Sequence, residues 1–115
     1  MRLKTDFVTN SSSTCFVICN RTNNFLTLVD FVKENPHLIE QFKEEYSWYQ
    51  NNEEYTQENL IKSAEENNVD INPQSQEYYS FGDEDGTLIG RVFDYILRDG
   101  GSSDSFQWWM DHYER

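Results

Sequence analysis

A single small α+β domain, with a mainly antiparallel three-stranded sheet and helices packed on one face, is the fold class this sequence predicts. Three observations lead there. Short strand-like runs at 14–19, about 77–81 and 105–113 are separated by segments of helical period. The chain has 115 residues, enough for one modest core, so the domain is taken to span 1–115. Eight Phe, seven Tyr and three Trp beside seven Leu predict a core built largely from rings, and exclude a wholly disordered chain.

Each element has a local reason. "TCFVIC" at 14–19 is a short apolar run with β-branched members, bounded by Ser before it and "NRTNN" after it, which suits a buried strand. At Thr27 the period changes to helical: Thr27 is placed to cap, Asp30 follows three residues later, and Leu28, Phe31 and Val32 share a face. Pro36 ends that helix and opens a second, with Asn35 as its expected cap. Leu38, Ile39, Phe42, Tyr46 and Tyr49 form the apolar face of this second helix, opposite Glu40, Glu44 and Glu45. "QNNEEYTQEN" reads as a linker, after which Thr56 caps a third helix carrying Leu60, Ile61 and Ala64, closed by Asn67 and Asn68.

"NVDINPQSQ" reads as a connection, and the ring-rich "EYYSF" as the second strand. "TLIGRVFDYILRDGG" carries the clearest apolar stripe, Leu88, Ile89, Val92, Phe93 and Ile96, with Thr87 or Asp85 as cap and Gly100 as stop. Gly90 inside it points to close packing, and "DGGSSDS" reads as a helix stop and loop. The last strand places Phe106, Trp108, Met110 and His112 on one face and Gln107, Trp109, Asp111 and Tyr113 on the other.

Charge narrows the functions. The net charge is −12, but residues 1–24 hold Arg2, Lys4 and Arg21 against Asp6, whereas residues 25–115 hold 20 acids against six bases. Such a field repels phosphate backbones, so direct nucleic-acid binding is disfavoured and a basic protein partner is favoured. Neither a membrane span nor an unbroken apolar signal segment is present, and Cys15 and Cys19 are expected to be reduced thiols of a cytoplasmic protein.

The reactive side chains do not assemble by spacing. A Cys2His2 set of Cys15, Cys19, His37 and His112 fails because two cysteines four residues apart on a strand are roughly 13 Å apart. "GDEDG" at 82–86 lacks the alternation of a calcium loop and reads as a helix start, with Asp83 and Asp85 as the only cation contacts on offer. A nucleophile at Cys15 or Ser11 to Ser13 would need an oriented His112, and in a regular strand Asp111 points away from its neighbour. No cofactor, metal or catalytic residue is therefore expected. The alternatives are a small metal-dependent or thiol enzyme using Cys15, His112 and the 83–85 acids, or a soluble domain with no nucleic-acid-mimic role.

What remains are three surfaces for a partner. The first is acidic: Glu40, Glu44, Glu45, Glu53, Glu54, Glu58, Glu65 and Glu66, on or between the second and third helices. The second is aromatic, because only one of Trp108 and Trp109, and one of Tyr78 and Tyr79, can face the core. The third is the polar run Asn10, Ser11, Ser12 and Ser13, read as a turn or as a grip for a partner or anion.

That run lies within "DFVTNSSSTCF" at 6–16. The string is similar to the opening of a set of small proteins of low-GC bacteria and their phages, which begin with a basic tip and a form of Asp-Phe-Val-Thr-Asn followed by serines and Phe. Thr14 and Cys15 depart from it, where Ser is usual. The resemblance implies a mobile-element or accessory protein and no particular activity. Joined to the acidic balance, it suggests an inhibitor that mimics nucleic acid to block a basic host protein.

Overall fold

The computed structural model of the protein describes residues 13–45, 54–82 and 86–114. Among them, β1 (Ser13–Asn20) and β2 (Leu26–Thr27) precede α1 (Leu28–Glu34), α2 (His37–Glu45) and α3 (Gln57–Glu66). Then come β3 (Asp70–Ile71), β4 (Ser75–Phe81), α4 (Leu88–Ile96), a 3-10 turn at Leu97–Asp99, β5 (Gly101–Ser102) and β6 (Phe106–Glu114). The α+β class holds, but the sheet has four strands where three were expected, in the order β4-β1-β6-β5, and β2 pairs β3 in a separate ribbon.

Every pairing in the main sheet is antiparallel to its neighbour. β4 and β6 both flank β1, so they run parallel to each other, and α4 connects them. The extra strand comes from "DGGSSDS". Gly100, at φ 72°, turns the chain out of the helix, and Gly101–Ser102 then pairs with Trp108 and Gln107. Gly101 has to be glycine there, because a Cβ would lie 2.6 Å from the Trp108 ring.

The helices cover one face of the sheet. Phe16 and Ile18 of β1, Phe81 of β4, and Phe106 and Trp108 of β6 share one core with Leu28, Phe31, Val32, Leu38, Ile39, Phe42, Leu60 and the stripe of α4. Rings carry its centre. Phe31 meets Phe93, Phe106 and Trp108 edge-on at 5.6, 5.2 and 5.1 Å, and Phe93 meets Phe81 at 5.3 Å. Edge-to-face pairs of this kind add about 0.5–1.5 kcal/mol each beyond buried area.

Caps explain the helix starts. Thr27 and Asp30 form a reciprocal capping box, Thr56 Oγ1 accepts from Asn59 N–H, and Thr87 Oγ1 accepts from Gly90 N–H. Two expectations need correction. The Asn35 side chain does not cap α2; its amide donates back to the Phe31 carbonyl at 2.9 Å, closing α1. Asn67 does end α3, but at φ −124°, by donating its side-chain amide to Ser63 O and not through a left-handed backbone.

Buried polar groups pin both ends of β1. At its end, the fully buried Asn20 donates to the carbonyls of Asn24 and Ile71 and accepts from Thr22 N–H and Oγ1, all at 2.7–2.9 Å. At its start, the buried Thr14 donates to Asp94 Oδ1 at 2.8 Å, and the Arg98 guanidinium meets the same oxygen at 3.0 Å. Glu34 adds a third tie. Its Oε2 accepts from Ser103 Oγ at 2.5 Å and Ser105 N–H at 2.8 Å, holding the β5–β6 loop against α1.

Two outcomes follow for stability. Desolvation alone would raise the Glu34 pKa, but the hydrogen bonds from Ser103 and Ser105 outweigh it and hold the carboxyl below its ordinary value. Its contribution is therefore present above the unfolded carboxylate range near pH 4.5 and lost as pH falls through the folded value. Urea unfolding of Glu34→Gln should show a loss of about 1 kcal/mol or less at pH 7, reduced by partial exposure, and a shallower acid limb than wild type. Gly101→Ala should lower stability by about 1–3 kcal/mol in a thermal melt, because the Trp108 ring is wedged against Phe31; an unchanged melt would refute the close approach.

Candidate functional site

The face of the sheet turned away from the helices is built from cross-strand rows. Directly opposed residues of antiparallel strands share a face. The register thus aligns Ser80–Cys15–His112, Tyr78–Val17–Trp109 and Gln76–Cys19–Gln107 across β4, β1 and β6. Val17 and Cys15 are both buried, yet neither belongs to the core cluster under the helices.

A β-bulge alters the chemistry of the first row. Phe16 opposes Met110 but Cys15 opposes His112, so Asp111 is an extra residue in β6. The extra residue turns His112 from the face it was expected to share with Phe106, Trp108 and Met110 to the outer face. The sequence-based expectation that Asp111 cannot reach the neighbouring imidazole is thereby overturned: Asp111 Oδ2 lies 2.5 Å from His112 Nδ1. Cys15 completes the group, since its Sγ, an Asp111 carboxylate oxygen and a His112 ring nitrogen all lie within 4.8 Å of one another. Cys15 is 6% exposed, whereas the side chains of His112 and Asp111 are 55% and 38% exposed. The cluster therefore has a buried thiol floor and a solvent-facing rim.

The set Cys15, Cys19, His37 and His112 is not assembled. Cys19 lies two rows away from Cys15, and His37 begins α2. Neither cysteine is in a disulfide. The expected cation contacts Asp83 and Asp85 lie outside the described residues, as do Asn10, Ser11, Ser12 and Glu53. Ser13 opens β1 opposite Glu114, so the described end of the polar run is strand and not turn.

The remaining acids lie on the helical side. Glu40, Glu44 and Glu45 on α2, Glu54 before α3, and Glu58, Glu65 and Glu66 on α3 are all exposed. Glu40 pairs with Lys43 at 3.9 Å and Glu54 with Arg91 at 3.2 Å. The side chains of Glu44, Glu58, Glu65 and Glu66 make no ion pair or hydrogen bond with another described residue. Where α3 meets the start of α4 a recess of about 290 Å³ mixes Glu54 and Glu66 with Lys62.

Each ring pair splits as expected. Trp108 is 3% exposed and packs on Phe31, so it is a core residue and not a docking anchor, while Trp109 is half-buried on the outer face. Tyr79 leans on the core and donates to the Asp70 carbonyl at 3.2 Å, leaving Tyr78 54% exposed. Phe25, 77% exposed, is a ring the sequence reading did not single out, since nothing in "NRTNNFLT" distinguishes it from a buried one. No known protein family, curated protein or solved structure matches the chain.

Tyr79 carries a testable consequence. Burial first, then the charges of Glu77 and Asp70, pushes its phenol above the ordinary tyrosine value. The unfolded chain ionises this group near pH 10 while the folded chain keeps it neutral, so its contribution is complete below about pH 10 and lost above it. Tyr79→Phe should flatten the alkaline limb of the stability curve in urea unfolding between about pH 9 and 11; an unaltered limb would contradict the placement.

Proposed function

We propose that this chain is an acidic interaction protein that binds a basic, nucleic-acid-handling protein through carboxylates presented where the partner otherwise meets phosphates. The exposure of all seven described carboxylates named above, on α2 and α3 or just before α3, supports this reading most directly. Residues 37–66 hold eight acids against Lys43 and Lys62, so the surface is predominantly acidic. A concentrated field of this kind accelerates encounter with a basic groove and weakens with salt. The opening motif adds the mobile-element or phage context, with inhibition as the outcome.

Tyr78 and Trp109 lie on the sheet's outer face and do not belong to this acidic layer. They suit a second contact made by packing instead of charge.

The test is competition. Basic nucleic-acid-binding proteins of the source cell are purified, loaded with labelled duplex DNA, and titrated with the protein at increasing salt. The expected result is DNA release at low salt that fades as salt rises. The quadruple variant at Glu44, Glu58, Glu65 and Glu66, each to Gln, should fold as wild type yet compete about tenfold more weakly. Release that ignores both salt and these four substitutions would overturn the reading.

A further inference from the structure

We propose that Cys15, Asp111 and His112 form a binding site for a divalent transition metal of the Zn²⁺ class, independent of the acidic surface. The three donor atoms, Sγ, a carboxylate oxygen and an imidazole nitrogen, already lie within 4.8 Å of one another. Zinc bonds of about 2.0–2.3 Å require donors roughly 3.3–3.8 Å apart, so the 2.5 Å contact between Asp111 and His112 has to open while donor separations of up to 4.8 Å draw in to that range. The exposed Asp111 and His112 side chains supply that by rotation, while β1 holds Cys15 in place.

The donor set selects the ion. One sulfur, one nitrogen and one oxygen suit a borderline metal such as Zn²⁺, Co²⁺ or Ni²⁺, and disfavour Ca²⁺ and Mg²⁺, which take oxygen shells. Charge is balanced as well. Binding displaces the Cys15 thiol proton to solvent, and the resulting thiolate together with the Asp111 carboxylate neutralises the dication. A thiolate that is costly to bury alone is thus compensated at the place where the thiol is buried. Three protein ligands leave a fourth position open on the exposed rim, the arrangement of reactive rather than purely structural zinc centres.

The bulge is the specific feature that makes this site. In an uninterrupted register Cys15 would oppose Asp111, and His112 would fall on the core face, as the alternation of "SFQWWMDHY" predicts. One extra residue brings both donors to the thiol's side. The other thiol is the internal control, because Cys19 shares the face but has Gln76 and Gln107 as row partners.

Co²⁺ is the probe, added to the full chain carrying no polyhistidine tag. Binding of one equivalent with a near-ultraviolet sulfur-to-cobalt charge-transfer band, displaced by Zn²⁺, is the expected result. Cys15→Ser should abolish the band and Cys19→Ser should leave it intact. His112→Gln and Asp111→Asn, both at exposed side chains, should each weaken binding about tenfold or more while the melting curve without metal stays as wild type. Absence of a charge-transfer band, or a band that survives Cys15→Ser or vanishes with Cys19→Ser, would overturn the site.

Discussion

The pairing of β1 with β6 is the constraint on which the rest of the molecule depends. β1 lies between the two strands joined by α4 and pairs with both, so it sets the phase of each. In one phase Phe16 and Ile18 enter the core beneath the helices; in the other Cys15, Val17 and Cys19 line the outer face. A slip of one residue would exchange these sets. Asn20 at one end and the Thr14–Asp94–Arg98 group at the other hold β1 in a single register, because each polar group is buried with partners it would lose on slipping.

Within that frame the packing and the chemistry separate cleanly. The helical side supplies the ring-rich core and, on its solvent surface, a row of exposed carboxylates interspersed with Lys43 and Lys62. The opposite side supplies the thiol, imidazole and carboxylate of one row beside the Tyr78 and Trp109 rings of the next. The two proposed activities therefore occupy opposite sides of a two-layer domain. Neutralising the helical acids leaves the donor cluster untouched, and removing the cluster leaves the acidic field in place.

Much of the fold was legible in the sequence because its signals are local. Thr27 with Asp30, Thr56 and Thr87 marked helix starts through hydrogen bonds that span three residues, and the stripe of α4 needed only its own period. What escaped were features set by distant partners. Gly101 and Ser102 carry no apolar signature; they become a strand by pairing with Trp108 and Gln107, where the Trp108 ring leaves no room for a Cβ at Gly101. Asp94 sits inside an apolar helix, and its partner Thr14 lies 80 residues away. The bulge at Asp111 is invisible for the same reason: "SFQWWMDHY" alternates without interruption, and the interruption exists only in relation to β1. The residues that make the donor cluster could be listed from the sequence, but not brought together.

The register of β1 against β6 is open to direct measurement by interstrand nuclear Overhauser contacts in the labelled protein. The account predicts that Cys15 faces His112 while Phe16 faces Met110, with Asp111 between them unpaired. Contacts placing Cys15 opposite Asp111 and Thr14 opposite His112 would mean an unbroken ladder. That result would return His112 to the core face and dissolve the cluster.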